Sequence, residues 1–110
     1  MAHIETYILV PKYYNEDENG NRKLVERSKF KKLQQLYIEN FGGLTIEEKT
    51  STGFWVNEQG KVVQDETYKY IVAIQSWTDV PKLIEIAKFV KEEWKQDAVY
   101  INIAGIPDFI

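Results

Sequence analysis

Residues 50–77 read TSTGFWVNEQGKVVQDETYKYIVAIQSW. Two runs of β-branched and aromatic residues flank Asn57-Glu58-Gln59-Gly60, a composition that suits a turn between paired strands. The run from Tyr68 to Trp77 carries the strongest strand signal in the chain, and Gly53-Phe54-Trp55-Val56 enters the turn from the other side. A long β-hairpin is therefore predicted at the centre of the sequence.

Working outward, Leu44-Thr45-Ile46-Glu47 alternates as the start of the hairpin's first strand, before a Thr/Ser-rich break. Ahead of it, Phe30, Leu33, Leu36, Tyr37 and Phe41 recur at helical spacing, with Ser28 as the expected N-cap and Gly42-Gly43 as the stop. Ile4 to Val10 reads as a strand ending at Pro11, followed by a polar connection through residue 27. Beyond the hairpin, Thr78 or Asp79 caps a second helix with Pro81 in its first turn and Leu83, Ile86, Ala87, Val90 and Trp94 as its apolar stripe. Ala98 to Ala104 forms the last predicted strand, closed by Gly105-Ile106-Pro107 and a short apolar tail. The order is β-α-β-β-α-β. The expected fold is thus α+β and ferredoxin-like, a four-stranded antiparallel sheet with two helices on one face, over a single domain of residues 1–110.

Period-2 alternation then sorts side chains between the sheet's faces. Ile8, Val10, Tyr70, Val72, Ile74, Val99, Ile101 and Ile103 are assigned to the helix-covered side. The other side receives Glu5, Tyr7, Leu9, Lys69, Ile71, Gln75, Trp77, Tyr100 and Asn102, with Trp55 beside them. Those ten residues are the candidate interface or ligand-binding set. So apolar a face needs a cover, because contiguous patches beyond roughly a few hundred Å² are uncommon on monomers. Self-association into a dimer is the leading expectation, worth on the order of 8–12 kcal/mol of gross hydrophobic stabilisation before association costs. The alternative is a small-molecule enzyme or sensor with an aromatic pocket on that face.

Composition narrows the chemistry. The net charge of −3 provides no general attraction for phosphate backbones, so no nucleic-acid partner is expected. The absence of cysteine excludes thiolate nucleophiles and Cys-based metal sites, and suits a reducing, cytoplasmic setting. No basic leader with a long apolar core opens the chain, and no apolar run reaches the roughly 20 residues that span a bilayer. His3, the sole histidine, has no partner at ligand spacing, and no nucleophile elbow or phosphate loop is present. The pairs Glu47-Glu48, Asp65-Glu66 and Glu92-Glu93 read as solvated charge. Asn15 to Glu26 approximates a calcium loop but carries Arg22 at its usual apolar position, so an acidic turn is the plainer reading. Lys29, Lys31 and Lys32 with Arg22, Lys23 and Arg27 form a basic cluster that nearby acids offset. No metal or cofactor is expected, and no catalytic residue is assigned.

Phe41-Gly42-Gly43-Leu44-Thr45, the G-x-W of Gly53-Phe54-Trp55, Gly60-Lys61-Val62-Val63 followed by Glu66, and Trp94-Lys95-Gln96-Asp97-Ala98-Val99 stand in an order that resembles a family of small uncharacterised bacterial proteins with a ferredoxin-like fold. The likeness spans about residues 28–103. It implies the same fold and a dimer, brings no reaction, and singles out Trp55, Glu66 and Gln96.

Overall fold

A computed structural model describes residues 2–110. The strands are β1 (Ile4–Pro11), β2 (Thr45–Val56), β3 (Val62–Ile74), β4 (Tyr100–Ile103) and β5 (Ile106–Phe109). The helices are α1 (Arg27–Phe41) and α2 (Val80–Glu93), the latter preceded by a single 3₁₀ turn, Trp77–Asp79. All strands join one antiparallel sheet in the order β2-β3-β1-β4-β5. This corrects the expected four-stranded ferredoxin-like arrangement: the sheet has five strands.

The additional strand is the apolar tail. Ile103 pairs with Ile106 across Ala104-Gly105, both at positive φ (53° and 84°), the backbone of a two-residue hairpin turn. Ala104 bears a Cβ that disfavours that conformation, so residue type does not announce the turn. Pro107 looks like a terminator yet fits an edge strand, where an amide facing solvent is dispensable.

The Gln75 and Trp77 assignments also fail. The β1–β3 ladder ends at Ile4 opposite Ile74, so Gln75 and Trp77 lie beyond the last residue of β3. Ser76 instead accepts the Thr78 amide and the 3₁₀ turn begins, leaving Gln75 and Trp77 exposed and off the strand face. At α1 the N-cap position is Glu26 rather than Ser28, without a side-chain cap.

Ile8, Val10, Tyr70, Val72, Ile74 and Ile101 are buried against Leu33 and Tyr37 of α1 and Leu83, Ile86, Ala87 and Val90 of α2. Both helices therefore cover one face. Thr6 shares that side and satisfies its hydroxyl by donating to the Val72 carbonyl at 2.8 Å. Among the described residues no helix is long and apolar enough to cross a membrane.

α1 stops at Gly42, whose φ of +79° lets its amide reach the Ile38 carbonyl at 2.8 Å. An added Cβ there meets nothing within 4 Å, so only backbone strain opposes it. Gly42→Ala is expected to destabilise by about 1 kcal/mol in urea unfolding. Gly43→Ala, where no positive φ is required, should change stability little.

Candidate functional site

The helix-free face owes its shape to the β2–β3 hairpin. β1 ends where Pro11 meets Thr67; the Lys12 amide still donates to the Glu66 carbonyl at 2.9 Å, and past it β2 and β3 ladder only with each other. The Thr/Ser-rich break is a register shift between Glu47 and Ser51 rather than an interruption. At the tip, the Asn57 side-chain oxygen accepts the Gln59 and Lys61 amides at 3.0 and 2.9 Å, and Gly60 takes φ +76°.

At the root of this projection lies a cleft of about 380 Å³. Its walls include Leu9, Trp55, Tyr100 and Phe109, with Asn15, Gln96 and Asp97 among its polar lining. Tyr100 and Phe109 meet edge-on at 5.5 Å between ring centres. The Trp55 indole donates to Asp65 at 2.6 Å, and Arg22 pairs with the other oxygen of that carboxylate. The Gln96 amide nitrogen donates to the Trp94 carbonyl at 2.9 Å and that of Asn15 to the Lys95 carbonyl at 3.3 Å. Both side chains keep their amide oxygens as acceptors.

A second cleft on the same face, also of about 380 Å³, has Glu5, Tyr7, Glu47, Lys69, Ile71 and Asn102 in its lining. The Tyr7 and Tyr100 rings stack between the two clefts at 6.0 Å, and the Lys69 ammonium lies 4.5 Å from the centre of the Tyr7 ring. Asn102 donates to the Tyr100 hydroxyl at 3.3 Å while its own oxygen takes the Gly105 amide at 2.9 Å. The Asn102 amide, the Tyr7 hydroxyl and the Lys69 charge hold the Tyr100 phenol below the ordinary tyrosine range. Hydrogen bonding to Tyr100, then burial, pushes Tyr7 the other way. Tyr100 is thus the more acidic of two phenols that share one environment.

Of the candidates read from sequence, Leu9, Trp55 and Tyr100 line the first cleft, and Glu5, Tyr7, Lys69, Ile71 and Asn102 the second. Gln75 and Trp77 line neither. Glu66 lies 3.9 Å from Lys12 and contributes to neither cleft, whereas its neighbour Asp65 does. Asn15, Asp65, Asp97 and Phe109 stand outside the ten-residue set read from sequence because they come from a polar loop, a strand, a helix exit and the tail. No periodicity links such segments.

Elsewhere the polar motifs are absorbed by structure. In the 15–26 loop the Asp17 carboxylate accepts the Asn19 and Asn21 amides at 2.9 Å, and Glu26 receives the Tyr14 hydroxyl. Among the described residues no three His, Cys, Asp or Glu side chains are grouped to hold a metal. The basic cluster is dispersed, with Lys29 donating to the Glu93 carbonyl at 2.7 Å and Arg22 drawn to Asp65.

No protein-family model matches the chain, and a search of curated proteins finds no match. Two solved structures share its fold. One is a phage SAM lyase in complex with S-methyl-5'-thioadenosine, with 18% identity and a TM-score of 0.72, covering 99% of this chain and 88% of that one. The other is a phage SAM lyase in the apo state, with 17% identity and a TM-score of 0.70, covering 98% and 86%. The likeness is one of fold, and it replaces the ferredoxin-like description.

Proposed function

We propose that the chain is a small-molecule enzyme whose ligand occupies the cleft between Trp55, Tyr100 and Phe109, and that this ligand is an adenosine thioether or the corresponding sulfonium. The observation that carries the reading is the make-up of that cleft: aromatic walls, with amide acceptors and one unengaged carboxylate within the same space. Aromatic faces stack a purine without demanding a particular sequence of hydrogen bonds. The amide oxygens left on Asn15 and Gln96 suit the exocyclic amino group of adenine, a donor. A sulfonium is a cation that aromatic faces attract, and the Asp97 carboxylate supplies an opposite charge. The structural neighbours, phage SAM lyases of which one holds S-methyl-5'-thioadenosine, support this ligand class.

The corresponding reaction is cleavage of a sulfonium C–S bond. The electron pair of the broken bond goes to sulfur, S-methyl-5'-thioadenosine leaves as a neutral thioether, and the carbon left behind is taken by an oxygen of the substrate's own carboxylate, which closes a lactone that keeps the positive charge on its ammonium group. The test is incubation of the purified chain with S-adenosylmethionine, following S-methyl-5'-thioadenosine by mass spectrometry. Its accumulation above the uncatalysed background is the expected result. No turnover, together with no binding of S-methyl-5'-thioadenosine at millimolar concentration, would sink the reading.

A second reading, self-association, is favoured by Phe54, Val56 and Val62 at the outer end of the hairpin, each more than 60% exposed. Sedimentation of the free protein distinguishes an assembly from a monomer.

A further inference from the structure

Arg22 is not a lining residue of the cleft, yet two of the cleft's walls are joined through it. Its side chain is only 18% exposed, and its guanidinium donates to the Gln64 carbonyl and the Asp65 carboxylate of β3. Asp65 offers its remaining oxygen to the Trp55 indole at 2.6 Å. A continuous chain of polar contacts thus runs from the 12–26 segment, through Asp65, to the ring that forms the wall. The same segment places Asn15 in the cleft and is tied again to the hairpin by Lys61 and Glu16 at 3.0 Å.

This linkage matters because of where the sheet ends. Past the bond from the Lys12 amide to the Glu66 carbonyl no strand lies beside the hairpin, and a two-stranded ribbon alone is marginal. Main-chain pairing sets the register of Trp55 opposite Val63 but not the angle of the ribbon to the sheet. Arg22 supplies what the ladder does not: a planar guanidinium with one nitrogen on the Gln64 carbonyl and another on one Asp65 oxygen, so that main chain and carboxylate of β3 are tied to one rigid group. With both of its oxygens engaged, Asp65 is committed to structure. Asp97 is left as the cleft carboxylate that makes no hydrogen bond or ion pair among the described residues.

We propose that Arg22 is a positioning residue for the cleft: by clamping Asp65 it fixes Trp55 in the wall, and so sets ligand affinity without touching the ligand. The affinity part of this proposal rests on the ligand reading above; the clamp itself does not.

The experiment uses the full chain and its three tryptophans. Their indole N–H signals are resolved in a ¹H–¹⁵N correlation spectrum and assigned with Trp55→Phe. Arg22→Met is expected to move the Trp55 signal towards that of a solvated indole while the Trp94 signal stays in place. It should also weaken S-methyl-5'-thioadenosine binding by roughly tenfold, the scale of one charge-assisted hydrogen bond. Arg22→Lys, which keeps the charge but not the planar group, should recover part of both effects. Asp65→Asn should displace the Trp55 signal in the same direction.

An unmoved Trp55 signal in Arg22→Met overturns the clamp. A displaced signal with affinity unchanged overturns the role in binding. If the unsubstituted chain binds no thioether but Trp55 responds to Arg22, the ligand reading falls and the clamp stands. Should Arg22→Met fail to fold, Arg22→Lys and Asp65→Asn decide the matter, since an unmoved signal in both overturns the proposal.

Discussion

Truncating Trp94 to alanine is expected to destabilise the fold by about 3–5 kcal/mol, the range for removing a fully buried large aromatic side chain. Trp94 is 0% exposed. It sits just past the last residue of α2, where Phe30 of α1 packs edge-on at 5.3 Å and Phe89 of α2 at 6.1 Å. Its indole donates to the Pro11 carbonyl at 2.9 Å, joining the end of the central strand to the end of the second helix. Alanine removes the area, the ring contacts and the donor together, leaving a buried carbonyl unpaired. A domain of this size has only about 5–15 kcal/mol of stability in hand, so the loss is a large share of the total. Trp94→Phe separates the terms: it keeps most of the packing and loses the N–H, which should cost about 1–3 kcal/mol. Urea unfolding followed by circular dichroism reads both. A loss below about 1 kcal/mol for the alanine variant would show that the helices do not depend on this residue.

The second large effect is on binding. Trp55→Ala is expected to weaken S-methyl-5'-thioadenosine by roughly ten- to a hundredfold, because stacking a base on an aromatic ring contributes about 1–3 kcal/mol. Stability should change far less than for Trp94, since Trp55 is 36% exposed and lies on the part of the hairpin beyond β1. Trp77→Ala is the control. That ring is 59% exposed, belongs to the 3₁₀ turn and lines no part of the cleft, so titration calorimetry should find its affinity unaltered. Equal losses in the two variants, or none in Trp55→Ala, would remove the aromatic wall from the account of binding.

The contrast between these tryptophans shows how far the sequence reaches. A 3.6-residue stripe places Trp94 in the core and strict alternation places Ile8, Val10, Tyr70 and Val72 there, and all five are buried. Both patterns are local, and they follow from backbone geometry alone. Trp77 follows the same period-2 pattern as Tyr7 and Ile71, yet it is not on the strand. The deciding fact is that β3 stops at Ile74, opposite Ile4 of β1, and the chain turns there into the 3₁₀ turn that carries Trp77. That is a property of the pairing, not of the residues near Trp77.

The site follows the same division. Leu9, Tyr7, Lys69, Ile71 and Tyr100 could be placed on one face because parity fixes a strand residue's side. Parity also puts Asp65 on the side of Lys69 and Ile71 and Glu66 on the other, but nothing local announces that Arg22 and Trp55 converge on Asp65. The last strand was missed for a related reason: Ala104 adopts φ 53°, a conformation its side chain does not favour, and pairing between β4 and β5 holds it there.

From sequence alone come the elements, the two helical stripes and the side of the sheet on which each strand residue falls, because repeat length determines direction. The fifth strand, the end of β3 and the gathering of Asn15, Trp55, Asp65, Gln96 and Phe109 around one cleft were decided only by the folded chain. They depend on which segment another segment meets, and contacts between residues far apart in sequence leave no periodic mark on either partner.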